Sequence, residues 1–413
     1  MRLIFQGWAG DALNSLDSPS DGNIGRGFIA PLLADSGYHV TFTDVDKQLI
    51  EAINHTGAYN VHILDSTADP SSSEDGETQV QKISRIQAVL TTTSALTGEI
   101  AHPQTKLITT AVGLSVLDKI APALAAGIQA RCEADAGPIN VIACENAIGA
   151  TAKFAENVRA CLAEDQDGKD AIEWAEQNVG WANCSVDPIA PPFDSKEGQN
   201  NEEKLAVGVE AFYEWVVERE RGPLKPSGAL EVPVQGMTLV DNLVPYNERK
   251  LFTLNTGHAI TAYLGRLKGH TTIASSIADP EIRACVSGAL LEEFGAALCR
   301  RHAECFDEGK HKEYVEKILK RFENAEVKDE VGRVGRAPLR KLGREDRLVG
   351  PAKMCVECGV EVRLLARGIA AAMLFEDDGD KESKKMRGHI KDKGVERFVS
   401  DVLGFEAGAK GGA

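Results

Sequence analysis

No run in this chain approaches the roughly 18 consecutive apolar residues that a membrane-spanning helix needs. There is no basic excess either: 46 Lys and Arg stand against 62 Asp and Glu, for a formal net charge of −16. Neither nucleic acid nor an anionic membrane surface is therefore an expected partner. The N-terminus lacks a basic region followed by an apolar stretch, so no secretory signal is read and a cytoplasmic location is expected. A cysteine framework is missing as well. Nine cysteines lie at irregular spacing (132, 144, 161, 184, 285, 299, 305, 355 and 358), and an odd, scattered set without a signal reads as reduced thiols. "CVEC" at Cys355–Cys358 is a lone CxxC inside a helical pattern, weak ground for redox or metal chemistry. No metal is expected.

What is present is an alternation. "RLIF" reads as strand, "RGFIAPLLADSG" as helix, "HVTFTDV" as strand and "DKQLIEAINHTG" as helix. Later "KLITTAVG", "VLDKIAPALAAGIQARCEA" and "INVIACEN" read as strand, helix and strand. Such alternation is the mark of a parallel sheet wrapped by helices. Residues 64–86 are polar and read as an excursion off that sheet. Residues 191–204 read as a surface loop before one further strand, "AVGVEAFYEWVVE". From about Asp241 the apolar residues take helical spacing with almost no alternation, so an all-helical second domain follows, ending in a small, polar tail expected to be disordered. At 413 residues the chain is long enough for two such domains.

Three glycines, Gly22, Gly25 and Gly27, precede the helix "FIAPLL". In a dinucleotide-binding turn the glycines let the backbone approach a pyrophosphate, which sits at the helix N-terminus. An acidic residue about 20 positions on takes the ribose hydroxyl; Asp44, closing "VTFTD", is placed for that, and its charge favours NAD over NADP. Gly22, Asn23, Ile24, Gly25 and Asp44, with Val112 and Gly113 ending a later strand, are the expected cofactor residues. A plain glycine-rich turn is the competing reading.

"NERKLFTLNTGHA" holds Lys250, Asn255 and His258 in one helical pattern. Read as a regular helix, the spacing puts all three near one face. A lysine of lowered pKa can take an alcohol proton, an asparagine can donate to a developing oxyanion, and a histidine can hold the substrate hydroxyl or orient the lysine. On spacing alone, an exposed lysine with a core histidine fits as well.

"GNIGRGF", "ACENAIGAT", "VDNLVPYNERKLFTLNTGHA" and "GRVGRAPLRKLGREDRLVGPA" together resemble the polyol-specific long-chain dehydrogenases, whose signature is K-x4-N-x2-H. The likeness is strongest with members that act on mannitol 1-phosphate. It implies an α/β fold with a Rossmann-type N-terminal domain over 1–240, a helical substrate domain over 241–413, and a protein that is often a monomer. It implies Lys250 as the base, Asn255 and His258 as its partners, and Asn146 as a second oxyanion donor. The implied reaction interconverts D-mannitol 1-phosphate and D-fructose 6-phosphate with NAD.

A basic cluster in this acidic chain, Arg333, Arg336, Arg340, Lys341, Arg344 and Arg347, suits a phosphate, though a solvated basic helix face is the plainer reading. With the resemblance, Arg333 and Lys341 are expected near the sugar, and some of Arg336, Arg340 and Arg344 at the phosphate. Two features depart from the family. Residues 6–21 separate Phe5 from Gly22, where relatives have two residues, an insertion centred on 8–21 that raises the reading of an impaired nucleotide-binding member. Pro188 stands where relatives have arginine after the aspartate. An unphosphorylated polyol or hexuronate is the alternative substrate.

Overall fold

The computed structural model describes residues 2–7, 24–64, 79–92, 94–164, 168–187, 202, 205–211, 213–219, 234–327 and 329–404. Gly22, Asn23, the 8–21 segment, Pro188, the 191–204 loop apart from Glu202, and the tail beyond 404 lie outside the described residues. The chain divides into two compact units, Met1–Leu243 and Val244–Ala413.

The first unit is built on a six-stranded, wholly parallel sheet. Its strands are β1 (Arg2–Gly7), β2 (His39–Asp44), β5 (Ile86–Leu90), β6 (Thr105–Ala111), β7 (Ile139–Ala143) and β8 (Val179–Trp181). They lie in the order β5-β2-β1-β6-β7-β8. The order reverses between β1 and β6, whose last residues Gly7 and Ala111 are register partners. In such sheets a ligand crevice opens outside the carboxyl ends of the strands at the reversal. β7 is buried along its whole length, as a strand covered by helices on both faces must be. Arg131 is fully buried and donates to the carbonyls of Ile100, His102, Thr105, Ala136, Gly137 and Pro138, tying down the loops that lead into β6 and β7.

Two small sheets flank this core. β3 (Ala58–Leu64) pairs antiparallel with β4 (Gln79–Ser84) and parallel with β10 (Val207–Glu210). The excursion at 64–86 therefore ends in strand, and β4 goes unread in sequence because Ile83 is its one buried side chain. β9 (Cys184–Val186), β11 (Trp215–Glu218) and β12 (Met237–Val240) form the third sheet. The stretch read as one strand, "AVGVEAFYEWVVE", is thus two, β10 and β11, in different sheets. Each carries its own buried apolar set, and the chain must break between them to change partners.

The second unit is helical among its described residues, apart from an isolated bridge between Thr272 and Glu330. Its central helix, Thr256–Leu267, is buried from Ala259 to Gly265. No helix among the described residues is long and apolar enough to cross a membrane.

Candidate functional site

In the first unit, the helix after β1 opens as a π-turn, Gly25–Ile29, in which the Ala30 amide reaches back to the Gly25 carbonyl, and continues as Ala30–Asp35. Gly25 and Gly27 are buried, and among the described residues no side chain caps this helix. First-turn amides are donors that a helix cannot satisfy internally, and a helix start favours an anion. A cavity of about 210 Å³ lies there, lined by Ile24, Ala111, Gly113, Leu114, Cys144, Glu145 and Asn146. It sits at the carboxyl ends of β6 and β7, where a nucleotide belongs in this topology.

Glu145 shapes this cavity and was not singled out in the sequence. Its buried carboxylate accepts the Thr110 hydroxyl (2.7 Å), the Val112 amide (3.1 Å) and the Gly113 amide (2.8 Å). Val112 and Gly113 thus spend their N–H groups on Glu145 and contribute loop shape. Gly113 lines the cavity with φ +86°, in the region that favours glycine, while Val112 is buried beneath. Asp44 ends β2, beside β1 in the sheet, and accepts the Asp46 amide at 2.9 Å. Asn146 is exposed on the cavity wall. These residues suit a dinucleotide: two buried glycines in the first turn of a helix, a glycine at the strand end and an acid on the next strand.

In the second unit, Val244–Arg249 is α-helical, Lys250–Asn255 is a π-turn, and Thr256–Leu267 is α-helical again. From Lys250 to Gly265 every residue is buried except Lys250, Leu251, Asn255 and His258. These four mark one accessible stripe on an otherwise buried helix. The regular-helix reading of the K-x4-N spacing was wrong in its geometry. Five residues of α-helix turn a side chain about 140° away, whereas a π-turn closes i to i+5 and returns it to the same side. The buried hydroxyl of Thr256 supports the widened turn, lying 3.3 Å from the Leu251 carbonyl and bonded to that of Arg347. Arg249 fixes the rotation from the other side, with its guanidinium over the rings of Tyr314 (4.3 Å), Phe306 (4.6 Å) and Tyr246 (5.4 Å). With Arg249 buried among rings, its neighbour Lys250 is turned outward.

His258 is held on two sides. Its ring stacks on Phe322 at 5.3 Å and 18°, and Nε2 lies 2.5 Å from Oδ2 of Asp329. The other oxygen of Asp329 accepts from Arg333. Burial pushes the Asp329 carboxyl up, but His258 and Arg333 outweigh it and hold the group below its ordinary value. The structure thus joins His258 to Arg333 through a residue that sequence reasoning missed. No local signal marks Asp329, which lies far along the chain outside any long helix.

The basic cluster sorts itself. Lys341 is buried and gives its amine to the carbonyls of Val334 and Arg336; burial, then Arg347 and Arg340, bring its pKa down to about 7. Arg347 pairs with Asp346 at 2.8 Å. Arg344 lies against Gly404, where any side chain would collide with its guanidinium. Arg336 and Arg340 are exposed, and neither makes a side-chain ion pair among the described residues.

The cysteines are free thiols. Cys355 of the CxxC pair is buried, and burial, with Glu293 nearby, raises its pKa to about 12, so it is no nucleophile. Among the described residues no group of three His, Cys, Asp or Glu could hold a metal ion.

Residues 21–225 match the mannitol dehydrogenase Rossmann domain, and residues 242–408 the mannitol dehydrogenase C-terminal domain. Among solved structures, the chain is similar to Pseudomonas fluorescens mannitol 2-dehydrogenase, in ternary complex with NAD and D-mannitol. The identity is 17% over 98% of this chain and 86% of that one, with a TM-score of 0.66. It is likewise similar to a D-sorbitol dehydrogenase in substrate-free form, at 16% identity over 92% of this chain and 81% of that one, TM-score 0.67. At such identity the likeness shows a shared fold.

Proposed function

The chain belongs to the mannitol dehydrogenase family of oxidoreductases acting on CH–OH groups, and from that premise we propose that it interconverts D-mannitol 1-phosphate and D-fructose 6-phosphate with NAD. Bound NAD supplies the hydride acceptor. The residues that would hold it are those in the first turn of the helix at Gly25, with Gly113 and Asp44, whose carboxylate suits a ribose hydroxyl and disfavours a 2′-phosphate.

This chain's own residues handle the proton and the charge. Lys250, in its neutral form, takes the hydroxyl proton on Nζ as the C–H bond breaks and the carbonyl forms; in the reverse direction it returns that proton. Asn255 donates to the oxygen as negative charge grows on it, and such a donor is worth most where charge develops. His258 holds the hydroxyl through the nitrogen that Asp329 leaves open.

One observation carries the phosphate assignment. In a chain of net charge −16, Arg336 and Arg340 are exposed, without ion pairs among the described residues, and close in sequence to Arg333, which is itself tied through Asp329 to His258. An arginine fork left open in an acidic protein suits a phosphate dianion. The names of the two solved relatives favour a second reading, an unphosphorylated polyol. Calorimetric titration with mannitol 1-phosphate and with mannitol, in the presence of NADH, separates the two. Tighter binding of the phosphorylated sugar, lost in Arg336→Ala, supports the first; equal binding supports the second.

A further inference from the structure

We propose that Asp329 is a positioning residue that fixes the tautomer of His258 and, through its second oxygen, links that histidine to Arg333. This deepens the reading of His258 as the partner of the substrate hydroxyl and rests on it. The argument begins with atoms. Oδ2 of Asp329 lies 2.5 Å from Nε2 of His258, and Oδ1 accepts from Arg333. An ionised carboxylate only accepts, so Nε2 must carry the hydrogen. Nδ1 of the neutral ring is then an acceptor, the role required to receive a hydrogen bond from a sugar hydroxyl.

The ring plane is fixed separately. Phe322, on the helix Glu308–Glu323, stacks on the imidazole at 18° and holds its plane, while the bond from Nε2 to Asp329 opposes a flip of the ring within that plane. Asp329 sets which nitrogen is protonated and, with Phe322 holding the ring plane, where the other one points. Arg333 is bound by the same carboxylate, so the histidine and the first arginine of the basic cluster are held in a common register.

The amide variant Asp329→Asn gives a sharp test. Arg333 has only donors and takes the amide oxygen, which turns the NH2 group toward His258. Nε2 must then accept, and the hydrogen moves to Nδ1. Nitrogen-15 NMR on histidine-labelled protein reads this directly, with the His258 signals, one set among nine histidines, assigned by their loss in His258→Asn. The wild type is expected to show the Nε2–H form and Asp329→Asn the Nδ1–H form, with Asp329→Glu keeping the wild-type tautomer. kcat/KM for the polyol substrate should fall about 10- to 150-fold in Asp329→Asn, the range for a bond to a charged group, while the dissociation constant for NADH stays the same.

An unchanged tautomer and unchanged kcat/KM in Asp329→Asn would overturn the proposal. Should that variant fail to fold, the wild type decides alone, since an Nδ1–H or mixed His258 contradicts the proposal. Failure of the functional reading looks different: no polyol phosphate is turned over, yet the tautomer of the wild type remains as stated.

Discussion

Lys250 and Asn255 are separated by one π-helical turn, and both reach the accessible side of a helix whose neighbouring residues are buried. The widened turn explains why four residues intervene between them. Three would suit an α-helix; four suit a helix that closes i to i+5. A helix with an extra residue is held here by tertiary contacts, the Thr256 hydroxyl on one side and the ring-stacked Arg249 on the other.

Lys250→Ala should lower turnover about 10²–10⁴-fold, the value of a positioned base, and leave NADH binding within a factor of about two to three. Steady-state kinetics with fluorescence titration of NADH checks both. A variant keeping more than about a tenth of wild-type turnover removes Lys250 from this role.

Asp44→Ala should weaken NAD and narrow its advantage over NADP, because the substitution removes a ribose acceptor and a negative charge together. The ratio of kcat/KM for the two cofactors is the measurement. A wild type that already uses both equally contradicts the assignment.

Replacing Arg336 or Arg340 by Ala should raise KM for fructose 6-phosphate roughly 10- to 150-fold, from about 1.5–3 kcal/mol per charge-assisted bond, and leave KM for free fructose nearly unchanged. Equal effects on the two sugars would mean that the arginine supports the fold. Arg344→Ala, by contrast, should act on stability, since its guanidinium packs on Gly404.

Lys341 carries a pH prediction. Its pKa is lowered from the ordinary 10.5 to about 7, so between those values the unfolded chain holds a proton that the folded chain has released. Stability contributed by this group therefore rises with pH across that window and is lowest below about pH 7. Lys341→Met loses that dependence. Wild-type Tm should improve relative to the variant from pH 7 to pH 10, measured by calorimetry; parallel curves would show that the amine stays charged inside the protein.

Much of this was legible in the chain. Alternating apolar runs gave the parallel sheet because strands covered on both faces are continuously apolar, as β7 is. Lys250, Asn255 and His258 stood out as residue types close in sequence. Their geometry did not, because a π-turn depends on Thr256 and Arg249 contacts made by distant segments. Asp329 and Glu145 were invisible for the same reason: a carboxylate acquires its role from the partners that the fold brings to it. β4 was hidden by its polarity, since an edge strand with only Ile83 buried shows no alternation.

The central claim is that a phosphorylated polyol is the substrate. Initial rates of NADH formation with mannitol 1-phosphate, mannitol and sorbitol 6-phosphate, measured side by side on the wild-type protein, test it most directly. The account predicts the highest kcat/KM for mannitol 1-phosphate, at least about tenfold above mannitol, with sorbitol 6-phosphate below mannitol 1-phosphate. Mannitol turned over as well as or better than mannitol 1-phosphate would contradict it.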